Sequence, residues 1–147
     1  MYLNCHTYYS FKYGTLSVNQ LLAQAQQLEI RQLVLSDINN TSAVLDFVRL
    51  SQKYNVKPIV GIDFRNGAQQ QFIGIAKNNE GFAALNAYLS VCSVSGKTII
   101  PNYFPVTDDC FIVIPYTAFQ QRFQQDEKST ISLFKNNPQL YIGIKPS

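Results

Sequence analysis

The nine residues "QLVLSDINN" at 32–40 decide how the chain folds. Leu33, Val34 and Leu35 form an unbroken apolar run that stops at Ser36 and Asp37. A run of this kind, without alternation, belongs to a strand buried on both faces of a parallel sheet. On its C-terminal side, "NNTSAVLDFVRLSQKYN" (39–55) places Val44, Phe47, Val48 and Ser51 on one helical face, with Asn40 or Thr41 as the cap. "KPIVGIDF" (57–64) then reads as the next strand, where Pro58 is tolerable near the start.

On its N-terminal side lies another helix. Ser17 with Gln20 makes a capping box, and Val18, Leu21, Leu22, Ala25 and Leu28 share a face. Before it, "YYSFKYGT" (8–15) is a loop turning at Gly14, and residues 2–6 are a short buried strand. Strand, helix, strand, helix and strand thus fill the first 64 residues. That alternation predicts a parallel sheet with right-handed crossovers.

Further along, "RNGAQQ" (65–70) predicts a hairpin turn centred on Asn66-Gly67, and "QFIGIAK" (71–77) a strand antiparallel to its predecessor. A helix from Asn79 is expected to bury Phe82, Leu85 and Leu89; residues 95–109 read as a loop; "CFIVIP" (110–115) is a strand. Phe119, Phe123, Ile131, Leu133 and Phe134 fit one kinked helix or two short ones, and "QLYIGIKPS" (139–147) closes as a strand. Strands are therefore expected near 2–6, 32–36, 57–64, 71–76, 110–114 and 139–144, the first three adjacent and parallel. Leu33, Val34, Leu35, Ile59, Val60 and Ile112 should be buried in the sheet. An apolar strand at the end of the chain, with nothing to cover it, leads to the expectation of an α/β architecture cut in the middle.

The 147 residues amount to one domain or part of one, and 46% hydrophobic content supports a real core. A net charge of +3 without a Lys/Arg cluster argues against nucleic-acid binding by this segment. No run of about 18 apolar residues and no basic-then-apolar leader occurs, so a cytoplasmic location without membrane contact is expected. Cys5, Cys92 and Cys110 are too few and too far apart for a disulfide framework and read as buried free thiols. His6 is the single histidine, whereas hydrolytic metal sites usually need several imidazoles.

In parallel α/β folds, ligands gather at the carboxyl ends of the strands. Here those ends carry Asn4, His6, Asp37 and Asp63, with Asn4 and His6 facing one way and Cys5 the other. Each has an ordinary structural role open to it: a lone histidine is commonly a hydrogen-bonded structural residue, and Asp37 suits a helix cap or turn. Their coincidence is what raises the functional case.

These same segments resemble the PHP (polymerase and histidinol phosphatase) domain family. "LNCHT" stands where the family has Leu-His-x-His-Ser, "SDINN" where it has Thr-Asp-His-Gly-Asn, and "KPIVGID" where it has Lys-Pro-Ile-x-Gly-x-Glu. "KNNEG" (77–81) is similar to the Lys-Asn-x-Glu-Gly of the branch that opens the α subunits of bacterial DNA polymerase III. The resemblance covers residues 2–90 well. It implies a distorted seven-stranded β/α barrel, of which residues 1–147 would be the N-terminal portion and later strands would lie beyond Ser147. The family's site holds divalent ions through several histidines and carboxylates. Here Asn4 replaces the first histidine, Ile38 the one after Asp37, Asn39 the glycine that follows, and Asp63 the glutamate. Isoleucine has no donor atom, and the Asn carbonyl is a poor ligand for zinc. The resemblance therefore implies a vestigial metal site at Asn4, His6, Asp37, Ile38 and Asp63, with His6, Asp37 and Asp63 as residual ligand candidates. No catalytic residue and no cofactor is expected, at most weak zinc or manganese.

By the same resemblance, the leading expectation is a non-catalytic scaffold within a DNA-directed DNA polymerase. Its partners would be the polymerase core of the same chain, a proofreading exonuclease subunit, and DNA through the full-length protein. The alternative is an active phosphoesterase (a 3′–5′ exonuclease or a phosphatase) whose altered metal set joins His6, Asp37 and Asp63 to later ligands. A third reading is an unrelated α/β interaction module. The aromatic loop "YYSFKY" (8–13) would serve as an interface or cover the barrel mouth.

Overall fold

The computed structural model describes residues 2–94, 97–101 and 107–144. Its elements run β1 (Tyr2–Cys5), α1 (Val18–Gln27), β2 (Gln32–Leu35), α2 (Val44–Ser51), a 3-10 turn (Gln52–Tyr54), β3 (Lys57–Asn66), β4 (Gln69–Ala76) and α3 (Asn79–Cys92). They continue with β5 (Ser93–Val94), β6 (Lys97–Thr98), β7 (Cys110–Pro115), α4 (Tyr116–Gln125), α5 (Glu127–Asn136) and β8 (Leu140–Gly143). Two short helices, not one kinked helix, therefore occupy 116–136. Asp126 separates them and caps the second by accepting from Ser129 N at 3.0 Å. Residues 95–96 and 102–106 of the expected loop, and 145–147 of the closing stretch, lie outside the described residues.

Six strands form one mixed sheet in the order β1-β2-β3-β4-β7-β8, and β5 and β6 pair antiparallel as a separate two-stranded sheet. The pairs β1/β2, β2/β3 and β7/β8 are parallel, while β3/β4 and β4/β7 are antiparallel. Only β4 runs against the rest, so five strands bring their carboxyl ends to one rim. Leu3 and Asn4 from one edge strand, and Gly143 and Ile144 from and after the other, border the same cavity, so the sheet curls into a half-barrel. Among the described residues, this sheet has six strands, where the resemblance implies seven for a whole barrel.

The outer face carries two clusters. Val18, Leu22 and Ala25 of α1 and Val44 and Phe47 of α2 pack on Leu33 and Leu35. Leu85 and Tyr88 of α3 pack on Ile62, Phe64, Phe72, Ile112 and Ile114. Full burial of such side chains is worth about 1.5–3 kcal/mol each, which is why helices cover this face. The concave face has Val34, Ile73 and Ile75 buried, with Ile59 and Val113 only partly covered.

Several expectations need correction. Ile59 and Val60 are half-buried, because Ile59 lies on the helix-free concave face and Val60 at the seam between the outer clusters. Leu28 is exposed because α1 ends at Gln27, and Val48 is exposed at the edge of the α2 face set by Val44, Phe47 and Ser51. Phe82 and Leu89 are only partly buried, while Tyr88 takes the core position. Neither Asn40 nor Thr41 caps α2: Asn40 Oδ1 accepts from Ser42 N at 3.1 Å, and Thr41 Oγ1 bonds Asn86 Oδ1 at 3.1 Å. The hairpin turn is Gly67-Ala68, one residue later than expected. The Asn66 amide is committed to both backbone groups of Ile100, at 2.9 and 2.7 Å, and Gly67 takes the left-handed φ of 58°. The Ser17–Gln20 capping box is present. The three cysteines are free, Cys92 and Cys110 buried and Cys5 half-buried. Among the described residues, no helix is long and apolar enough to cross a membrane.

Candidate functional site

Backbone pairing sets the site. Ser36 N donates to Cys5 O at 2.9 Å, Asp63 N to Asp37 O at 3.1 Å, and Asn39 N to Asp63 O at 3.0 Å. The ends of β1 and β2 are thereby fixed beside the middle of β3, and Ile38 pairs with Asp63 in parallel register. His6, Asp37 and Asp63 follow from strand geometry alone.

Asp63 is fully buried, and its Oδ2 carries the contacts. Arg65 donates to it from Nη2 at 2.7 Å and from Nε at 3.0 Å. His6 Nε2 lies 3.1 Å from the same oxygen. Burial by itself would raise the Asp63 pKa, but hydrogen bonds with His6 and Arg65, with the Arg65 charge, hold it below the usual carboxylate range. Asp63 is therefore a carboxylate, an acceptor only, and Nε2 of His6 must be the donating nitrogen. The Gln70 amide also helps to lower Asp63, yet neither Asp63 Oδ1 nor Gln70 Nε2 has a partner at hydrogen-bonding geometry.

Arg65 is itself buried, 7% exposed, and reaches Asp63 because residues two apart on a strand share a face. Burial would lower its pKa, but the Asp63 carboxylate and Tyr13 raise it. Its guanidinium carbon lies 4.5 Å from the centre of the Tyr13 ring. Asn39 clasps its backbone on both sides, donating to Arg65 O at 2.8 Å and accepting from Arg65 N at 2.9 Å. Asn39 has φ of 50°, a left-handed conformation that Asn tolerates better than most side chains. Asparagine at this position thus keeps a backbone shape suited to glycine and adds the clasp.

Asp37 is held differently. It is 2% exposed and accepts from Thr7 N and Thr7 Oγ1 at 2.7 Å each and from Ser10 Oγ at 2.6 Å. Ser10 Oγ also accepts from Ile38 N at 2.9 Å. Asp37 thus fastens the loop that follows β1. Asn4 Oδ1 accepts from Ser36 Oγ at 3.0 Å, and Ile38 contributes no polar side chain. Of the residues singled out from sequence, the structure joins His6 to Asp63 and turns Asp37 and Asn4 toward other partners. Among the described residues, no group of three or more His, Cys, Asp or Glu side chains could hold a metal ion. Thr7, Ser10 and Arg65 were not legible as site residues. For Arg65 the available signal was its place two residues beyond Asp63.

On the concave side, a cavity of about 670 Å³ is bordered by Asn4, Arg65, Gln70, Val113 and Tyr116. The aromatic loop divides: Tyr13 covers the Arg65 guanidinium, while Phe11 is 81% exposed.

Comparison with known proteins adds a lineage. The model of the PHP domain family matches residues 3–133. The DNA polymerase III subunit alpha of Mycoplasma genitalium is 34% identical over 130 residues, covering 84% of this chain and 14% of that protein. That of Ureaplasma parvum is 30% identical over 111 residues, covering 76% of this chain and 11% of that protein. The chain thus spans only a small part of these relatives' length. A crystal structure from Bifidobacterium adolescentis, assigned as a metal-dependent phosphoesterase, superposes with a TM-score of 0.45 at 15% identity, covering 63% of this chain and 34% of that one. A likeness of that size decides nothing by itself.

Proposed function

Because the chain belongs to the PHP domain family, we propose that it is the N-terminal portion of the PHP domain of a replicative DNA polymerase III α subunit, acting there as a platform that does not hydrolyse phosphoesters. The relatives named above support the polymerase context. One observation carries the non-hydrolytic reading: both strand-end carboxylates already have protein donors. Asp37 takes three, and Asp63 Oδ2 takes the Arg65 fork and His6. Asn4 and Ile38 replace two of the family's histidines. These residues do not fit a cluster of divalent ions, and without a metal-bound water such hydrolysis loses both its nucleophile and its charge stabilisation. The platform's partners are the polymerase core of the same polypeptide and a proofreading exonuclease subunit, with DNA contacted through the full-length protein in the cytoplasm.

The unpartnered Asp63 Oδ1 favours a second reading, an altered metal set on His6, Asp37 and Asp63 completed by ligands elsewhere in a longer chain. The two are separated by assaying the full-length protein for metal-dependent removal of 3′ nucleotides. The platform reading expects none. Activity abolished by His6→Ala or Asp63→Ala establishes the second reading.

A further inference from the structure

We propose that Arg65 is the built-in cation of the strand-end site, standing against Asp63 where a divalent ion would otherwise be required. The inference rests on the non-metal reading above and says what replaces the metal. A cation at this rim has two tasks: to compensate a buried carboxylate and to tie neighbouring strand ends together. Arg65 performs both. Its Nη2 and Nε converge on Asp63 Oδ2 at 2.7 and 3.0 Å, inside a site where Asp63 is 0% and Arg65 7% exposed. A buried carboxylate deprived of its counter-charge is strongly destabilising. The oxygen that Arg65 takes is also the one that His6 reaches from the end of β1. The guanidinium lies on Tyr13 from the same loop, and Asn39, beyond β2, clasps the Arg65 backbone. The segments that follow β1 and β2 therefore both meet β3 at Arg65, the first through its guanidinium and the second through its backbone. A second cation at Oδ2 would face the guanidinium charge at contact distance, so Arg65 also excludes what it replaces.

The site is thus a guanidinium site, and free guanidinium is the probe. Arg65→Ala should lower the Tm by about 10 °C. Guanidinium chloride at about 20 mM, far below denaturing levels, should recover several degrees of that loss by mass action. Sodium chloride at equal ionic strength should not, and adding Asp63→Asn should abolish the recovery. The unmodified protein should gain nothing. If Arg65→Ala does not fold, soluble yield on refolding replaces Tm, and it should depend on guanidinium. An unchanged Tm, or a loss equally insensitive to guanidinium and sodium, overturns the proposal, as does refolding that fails with and without guanidinium. The metal content of the unmodified protein after gel filtration in zinc separates the two levels. Stoichiometric zinc lost on His6→Ala refutes the non-metal reading itself. No zinc together with no guanidinium response refutes only the role given to Arg65.

Discussion

Asp37 and Asp63 are buried carboxylates where the end of β2 meets the body of β3, and the chain holds them by opposite means. Asp37 spreads its contacts over both oxygens and takes them from an amide and two hydroxyls, all neutral and all within the loop after β1. Asp63 concentrates its contacts on one oxygen, takes them from a guanidinium and an imidazole, and leaves the other oxygen without a partner. Loop anchoring needs only a shape with matched donors. Charge compensation in the interior needs a counter-ion, and a guanidinium or a metal can supply it. The arrangement built on neutral donors is therefore the less fragile to loss of a single partner, and the one built on a guanidinium the more.

That contrast can be broken by substitution. The largest effect is expected from Arg65→Met, which keeps bulk and strands the Asp63 charge. Urea unfolding should show a loss of about 3–5 kcal/mol. Asp37→Asn keeps shape but turns an amide nitrogen toward a donor, and should cost about 1–3 kcal/mol in the same assay. If Asp37→Asn costs more than Arg65→Met, the division between the two sites is wrong. The paired change Asp63→Asn with Arg65→Gln removes both charges and leaves groups that can still hydrogen-bond. It should cost under about 1.5 kcal/mol, well below Arg65→Met alone.

The smallest effect concerns acid stability. The Asp63 pKa is lowered in the fold from its ordinary value of 3.8. A depressed carboxylate contributes stability that is fully present above the unfolded-state pKa and is lost as pH falls through the folded-state pKa. The Asp63 contribution should therefore persist at pH 5 and fade below the ordinary carboxylate range. In the paired variant, that part of the acid transition should be missing from unfolding curves recorded between pH 5 and pH 2.

Local cues carried most of the fold. The unbroken run at 33–35 and the capping box at Ser17 each needed only neighbours in sequence, and both appear where expected. The hairpin turn moved by a residue because the Asn66 side chain is claimed by Ile100, a contact that sequence spacing cannot reveal. The candidate site was partly readable for the same reason. Strand-end logic places His6 beside Asp63, but the partners of Asp37 come from a loop whose path depends on those partners. Arg65 became meaningful only once Asp63 was seen to be buried, because an Asp and an Arg two apart on an exposed strand would imply nothing.

His6 is the single histidine, so its ring nitrogens can be followed without ambiguity by nitrogen-15 NMR. They report the central claim that protein groups, not a metal, occupy Asp63. In the unmodified protein Nε2 should carry the proton that faces Asp63, and both ring-nitrogen shifts should stay fixed when one equivalent of zinc is added. Loss of the Nε2 proton, with a stoichiometric shift of either ring nitrogen on adding zinc, would contradict the account.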